Sequence, residues 1–151
     1  MEFGDLINYN NGSEFTPINT SISSLNCGGY NYCVNEGIYK AYFKTSSGGS
    51  EVVKYTNNES ISYTISKLQY TRRDGSQQDL ISNSLNVNGI PIENNFVYPA
   101  VFGFGFNLSF KYENTRLKEE LILQNFSILP KPGNQMGNNP ELSLELVIRM
   151  D

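Results

Sequence analysis

Apolar residues fall on every second position along several stretches of this chain. From Tyr98 to Tyr112, the residues Phe102, Phe104, Phe106, Leu108, Phe110 and Tyr112 alternate with Gly103, Gly105, Asn107, Ser109 and Lys111. Successive side chains of a β-strand point to opposite faces, so this run predicts one long strand with an aromatic face and a small or polar face. A helix could not gather those six residues on one side. The last stretch behaves the same way: Leu142, Leu144, Leu146, Ile148 and Met150 face one way, and Ser143, Glu145 and Arg149 the other. A third strand is expected from about Ser60 to Arg72. There Ile61, Tyr63 and Ile65 hold one parity before Leu68 and Tyr70 take the other, which predicts a bulge or a strand that changes sheet.

Turn signals divide these runs. Asn11-Gly12, Asp74-Gly75 and Asn88-Gly89 are dipeptides favoured in two-residue hairpins, where positive φ is required. Asn88-Gly89, between Leu85-Asn-Val87 and Ile90-Pro-Ile92, predicts a compact hairpin. Gly37 to Lys44 and Glu51 to Thr56 read as two strands joined by a flexible loop, Ser46 to Ser50. Asn114 to Leu121 admits a single helical turn or a polar hairpin connection. Pro130 to Pro140 reads as a Pro/Gly/Asn loop, long enough to be expected to touch a ligand, a neighbouring subunit or the domain's own surface.

Roughly nine to eleven short strands with closely spaced turns predict an all-β fold, an antiparallel, jelly-roll-like β-sandwich with at most one short helix. Asn, Ser and Gly crowd residues 8–24, where Phe15, Ile18 and Ile22 are scattered apolar anchors. Residues 1–24 are therefore expected to form an extended N-terminal arm or edge strand, and residues 25–151 a single domain.

Composition agrees. The 151 residues include 13% aromatics and only 17% charged residues, with twenty Asn and sixteen Ser supplying most of the polar surface. Asn and Ser bond to nearby backbone and favour turns over helix interiors. A net charge of −4 argues against a grip on nucleic-acid phosphates, and Arg72-Arg73 beside Asp74-Gly75 reads as a solvated hairpin tip. No apolar run reaches the length of a membrane helix, so no membrane insertion is expected. The start of the chain lacks the basic and apolar segments of a signal peptide, which leaves cytosolic residence or a removed signal. Five Asn-x-Ser/Thr sequons, at Asn11, Asn19, Asn58, Asn107 and Asn125, against roughly three expected by chance from this composition, are weak evidence for secretion.

Reactive chemistry is sparse. The chain has no His, which removes the commonest general base and metal ligand together with any Ser-His-Asp or Cys-His nucleophile. No Walker-type phosphate loop occurs, and Gly103 and Gly105 read as packing glycines. Glu36, Glu51, Glu93, Glu119, Glu120 and Glu145 supply carboxylates, but no Trp is present to form a sugar platform. No enzymatic activity, cofactor or metal is expected. Cys27 and Cys33, six positions apart across two glycines, either close a small disulfide loop or remain structural thiols.

Two function classes follow. The first is a structural or assembly subunit of a virion, phage tail or surface appendage, with homo-oligomer or other subunit contacts through Phe15, Ile18, Ile22 and Met136. The alternative is a carbohydrate-binding or adhesin module in which Tyr30, Tyr32, Tyr39 and Tyr42 stack on glycans. A virion or an extracellular surface is the favoured location.

Overall fold

The computed structural model describes residues 8–10, 15–103, 105–123, 127 and 129–150. It is all-β, with two main antiparallel sheets. In the larger sheet β3 (Tyr32–Val34), β4 (Lys40–Phe43), β5 (Val53–Asn57) and β6 (Glu59–Thr71) follow one another as neighbours. There β7 (Gln78–Asn83) continues beside the far half of β6, and β12 (Glu141–Met150) lines the opposite side of β6. The smaller sheet runs β8 (Ile90–Ile92), β9 (Asn95–Tyr98), β10 (Phe106–Tyr112) and β11 (Leu117–Leu123). A separate two-stranded ladder joins β1 (Asn8–Asn10) to β2 (Phe15–Pro17).

The smaller sheet is a meander, and β3 to β7 run as one within the larger sheet, where β12 returns after the smaller sheet to lie beside β6. A jelly roll, built from two Greek keys, would send consecutive strands beside more distant partners. Short turns such as Glu93-Asn94 between β8 and β9 return the chain directly beside itself, so two complete Greek keys are not seen among the described strands.

Aromatic rings fill the space between the sheets. Phe106, Leu108, Phe110 and Tyr112 of β10 and Phe96 and Tyr98 of β9 are buried with Ala41, Phe43, Val53, Ile65 and Leu68 of the larger sheet. Phe43 stacks on Phe96 at 4.8 Å between centroids, and Tyr39 on Tyr112 at 4.2 Å. Each buried tyrosine hydroxyl finds a carbonyl, as a phenol removed from water must. Tyr112 Oη donates to Tyr39 O (2.6 Å), Tyr39 Oη to Glu113 O (2.7 Å) and Tyr98 Oη to Lys44 O (2.7 Å).

Several local readings change. The long strand predicted up to Tyr112 begins only at Phe106, because Gly103 and Gly105, with φ of 98° and 75°, turn the chain between β9 and β10. Val101 and Phe102 still reach the core from that turn, and Phe104 lies outside the described residues. Asn88-Gly89 is not a hairpin: Asn88 bridges to Ser46, and the Gly89 N–H donates to Thr45 O. Asn114 to Arg116 is a hairpin connection, closed by the Glu113 N–H on Arg116 O, and β11 follows it directly. Asp74-Gly75 does turn β6 into β7, with Gly75 at φ 77°. Asn11-Gly12 lies outside the described residues.

The parity change in β6 is a bulge. Lys67 opposes Glu145 and Ile65 opposes Leu146, so Ser66 is the extra residue, and its hydroxyl donates to Glu145 Oε1 at 3.0 Å. That inserted residue lets Ile65 and Leu68 reach the same core despite their opposite parity.

The loop after β4 is pinned. Ser47, fully buried, donates through Oγ to Leu85 O and accepts the Val87 N–H, both at 2.8 Å. Asn86 Oδ1 also accepts from Ser46 Oγ and from the Gly48 N–H. These bonds tie the segment before β8 to the larger sheet.

Candidate functional site: the outer edge of the last strand

A strand at the edge of a sheet presents unpaired N–H and C=O groups, and proteins that stay monomeric usually blunt such edges. Four of the edges here are blunted. β3 is short and covered: Ser23 and Cys33 exchange both backbone hydrogen bonds (2.8 and 2.9 Å), and the Asn19 N–H donates to Glu36 O. The Cys27–Cys33 disulfide, Cα–Cα 5.5 Å, ties this covering segment to β3. β8 has three residues with Pro91 at its centre, which supplies no donor. β11 carries Lys118, Glu119 and Glu120. β7 is interrupted at Ile81 by a register shift, and its Asp79 carboxylate accepts the Gly133 N–H.

β12 is different. It has ten residues, no proline and no bulge residue of its own, and among the described residues it pairs with β6 alone. Its last few residues are apolar on both faces: Val147 is 53% exposed, Ile148 57% and Met150 68%. Ile148 opposes Tyr63 and Met150 opposes Ile61. Tyr63 in turn opposes Val53, and Ile61 opposes Tyr55. Two rows, Tyr55–Ile61–Met150 and Val53–Tyr63–Ile148, thus run out from the core to the open edge. Beside them lies a groove of about 280 Å³ lined by Tyr55, Ile61, Tyr63, Thr115, Arg116 and Leu117. Burial, and secondarily the Glu119 carboxylate, raise the Tyr63 phenol above its ordinary range.

Charges punctuate the edge. Glu145 lies 3.7 Å from Lys67 Nζ, and Arg149 Nη1 donates to Glu51 Oε1 at 3.0 Å. The two side chains are 41% and 69% exposed, so both remain within reach of a neighbouring chain.

The residues expected to make assembly contacts are placed variously. Phe15 lies in β2, and its side chain falls outside the described residues. Ile18 is half-buried, and Ile22 packs against the core with its N–H on Glu93 O. Met136 is 1% exposed and is not available to a neighbour. It sits in a 3₁₀ turn, Asn134–Met136, within a loop that closes on the protein's own surface. Arg72 Nη1 donates to Gln135 O, Arg73 Nε to Asn139 O and Tyr70 Oη to Pro130 O, which hold that loop down.

The tyrosine set separates into two. Tyr30 and Tyr42 meet on the outer face of the larger sheet, centroids 5.6 Å apart, with Lys44 and Lys54 ammonium groups 5.4 and 5.7 Å from the respective rings. Tyr32 turns inward against Phe96 (5.4 Å), and Tyr39 is 1% exposed in the core, so Tyr39 is not available to a glycan. Asn107, a sequon residue, spends its side-chain oxygen on the Ala100 N–H. Sequence reasoning passed over Val147, Ile148 and Met150 as contact residues. The available signal was Val147, the one apolar residue on the otherwise polar face of the last strand between Ser143 and Arg149.

No protein-family model, curated protein or solved structure matches this chain.

Proposed function

We propose that this chain is a non-enzymatic assembly subunit, a β-sandwich whose neighbours join it through the outer edge of β12. The observation that carries this reading is the contrast among edges: four are covered, short, bulged or densely charged, whereas among the described residues the long β12 pairs on one side and ends in exposed Val147, Ile148 and Met150. Sustained exposure of an edge of this kind is an association hazard unless association is its purpose. A virion, tail or surface-appendage component fits a subunit of this chemistry, with the N-terminal residues Phe15, Ile18 and Ile22 as a second contact.

The test is Val147→Lys. A lysine on an exposed edge opposes strand addition, while a surface substitution of this kind usually changes stability by less than about 0.5 kcal/mol. We expect sedimentation velocity to show assembled parent protein and a monomeric variant with an unchanged melting temperature. Equal assembly of the two would refute the edge as the contact.

The Tyr30–Tyr42 pair supports a second reading, a glycan-binding face in which two rings and two flanking ammonium groups receive an acidic sugar. Tyr42→Ala is then expected to lower retention on an acidic polysaccharide column at least severalfold without loss of folding. Retention equal to that of the parent protein removes this reading.

A further inference from the structure

We infer that the neighbour is a second copy of this chain, with the two β12 strands antiparallel about a two-fold axis through Val147. This inference rests on the assembly reading above and adds the partner and the register. Antiparallel self-pairing about residue 147 places each residue opposite the one equally far on the other side of Val147. Val147 then meets itself, Leu146 meets Ile148, and Leu144 meets Met150. Glu145 meets Arg149, and by symmetry Arg149 meets Glu145. Every apolar side chain therefore faces an apolar one, and both charges of this segment face their opposite. An isologous contact requires self-complementarity of this kind.

Moving the axis by one residue breaks the match. Centred on Leu146, Glu145 would oppose Val147 and Arg149 would oppose Ser143. Centred on Ile148, Arg149 would oppose Val147. The exposed apolar residues of β12, Val147, Ile148 and Met150, each more than half exposed, lie at this centre and just beyond it. Pairing there would merge two larger sheets into one continuous sheet. It would also bring Met150 and Ile148, at the ends of the Tyr55–Ile61 and Val53–Tyr63 rows, against Leu144 and Leu146 of the second copy.

Charge reversal reads the register. Glu145→Arg would place arginine opposite arginine at both symmetric positions, and Arg149→Glu would place glutamate opposite glutamate. Either single variant should self-associate about thirtyfold more weakly than the parent chain, since directly opposed like charges destabilise a strand pair. An equimolar mixture of the two should regain association. The arginine introduced in one chain would then face the glutamate introduced in the other, and the unchanged Arg149 of the first would face the unchanged Glu145 of the second. Lys67 and Glu51, the ion-pair partners of Glu145 and Arg149, are half-buried and Ser66 Oγ also donates to Glu145, so the melting temperature of each variant is measured beside its association. In parallel, Val147→Cys should form an intermolecular disulfide under mild oxidation, whereas Glu141→Cys should not, because its symmetry mate would lie about 40 Å away along the strands.

The outcomes separate the two levels. Weak single variants, a recovered mixture and a crosslink at residue 147 establish the register. Parent protein that assembles while the mixture stays apart and residue 147 fails to crosslink overturns the two-fold pairing and leaves the assembly reading standing. A parent chain that stays monomeric at high concentration overturns both.

Discussion

Phe96→Ala is expected to remove about 3–5 kcal/mol of folding free energy, the range for deleting a buried aromatic ring. Phe96 has no exposed surface and sits where both sheets converge. Its ring stacks on Phe43 of the larger sheet, meets the edge of Tyr98 at 5.2 Å, and touches Tyr32 at 5.4 Å. Gly89 lies so close to the same ring that any side chain there would collide with it, so the backbone before β8 is fitted to Phe96. Truncation would therefore leave a void bounded by several rigid rings, with little freedom to collapse. For a domain of this size the melting temperature should fall by roughly 10 °C, and Phe96→Leu should recover much of the loss. Denaturant titration checks this; a loss below about 1 kcal/mol would show that the two sheets are not held together at this ring.

Alkaline pH should unfold the protein steeply. Burial raises the Tyr39 and Tyr98 phenols far above the ordinary value of 10.0; for Tyr39 the neighbouring Tyr112 adds to the rise, and for Tyr98 Tyr30 does. A backbone hydrogen bond with Glu113 acts in the opposite direction on Tyr39 without reversing the shift. The sign follows from linkage. Below pH 10 both states hold these protons, and the stability is fully present. Above pH 10 the unfolded chain releases them while the folded chain keeps them, so stability falls until the folded values are reached. Each such tyrosine contributes about 1.4 kcal/mol per pH unit, so the pair contributes roughly 3 kcal/mol per unit above pH 10. Tyr63 and Tyr70 are shifted in the same direction, also chiefly by burial, and steepen the fall. Denaturant midpoints from about pH 8 to about pH 11, followed by phenolate absorbance, test this. The drop should start near pH 10 and become shallower in Tyr39→Phe. Phenolate absorbance from all ten tyrosines before unfolding would contradict it.

The sequence reports these features unevenly, for physical reasons. Alternation identified β10 and β12 because one face of each strand packs on the core, and the parity change at Leu68 left a bulge or a change of sheet, of which the register shows the bulge, at Ser66. The same alternation overextended β10. Gly103 and Gly105 fit the small face of a strand as well as they fit a turn with positive φ, and period alone does not distinguish the two. Asn88-Gly89 carries a hairpin signature, yet the bonds of Ser47 and Asn86 hold that segment against the loop after β4. Those contacts link residues about forty positions apart, which no local pattern encodes. Met136 and Tyr39 looked available because exposure of a loop methionine or a strand tyrosine depends on what the rest of the chain lays over it.

The edge was hidden for a related reason. Whether a strand is central or peripheral is a property of sheet order, and β12 became an edge only once β6 was seen to take β5 and β7 on its other side. Once that order is known, an apolar residue on the otherwise polar face of the last strand acquires meaning. On the proposed assembly, Val147 is then a contact residue rather than an irregularity in the pattern.

Hydrogen exchange of the β12 amides is the most direct test of the central claim. The account predicts that outward-facing amides between Leu144 and Met150 exchange slowly in concentrated parent protein. They should become rapid on dilution, and rapid at every concentration in Val147→Lys. Protection that ignores both concentration and the substitution would contradict the account, because the edge would then be closed within a single chain.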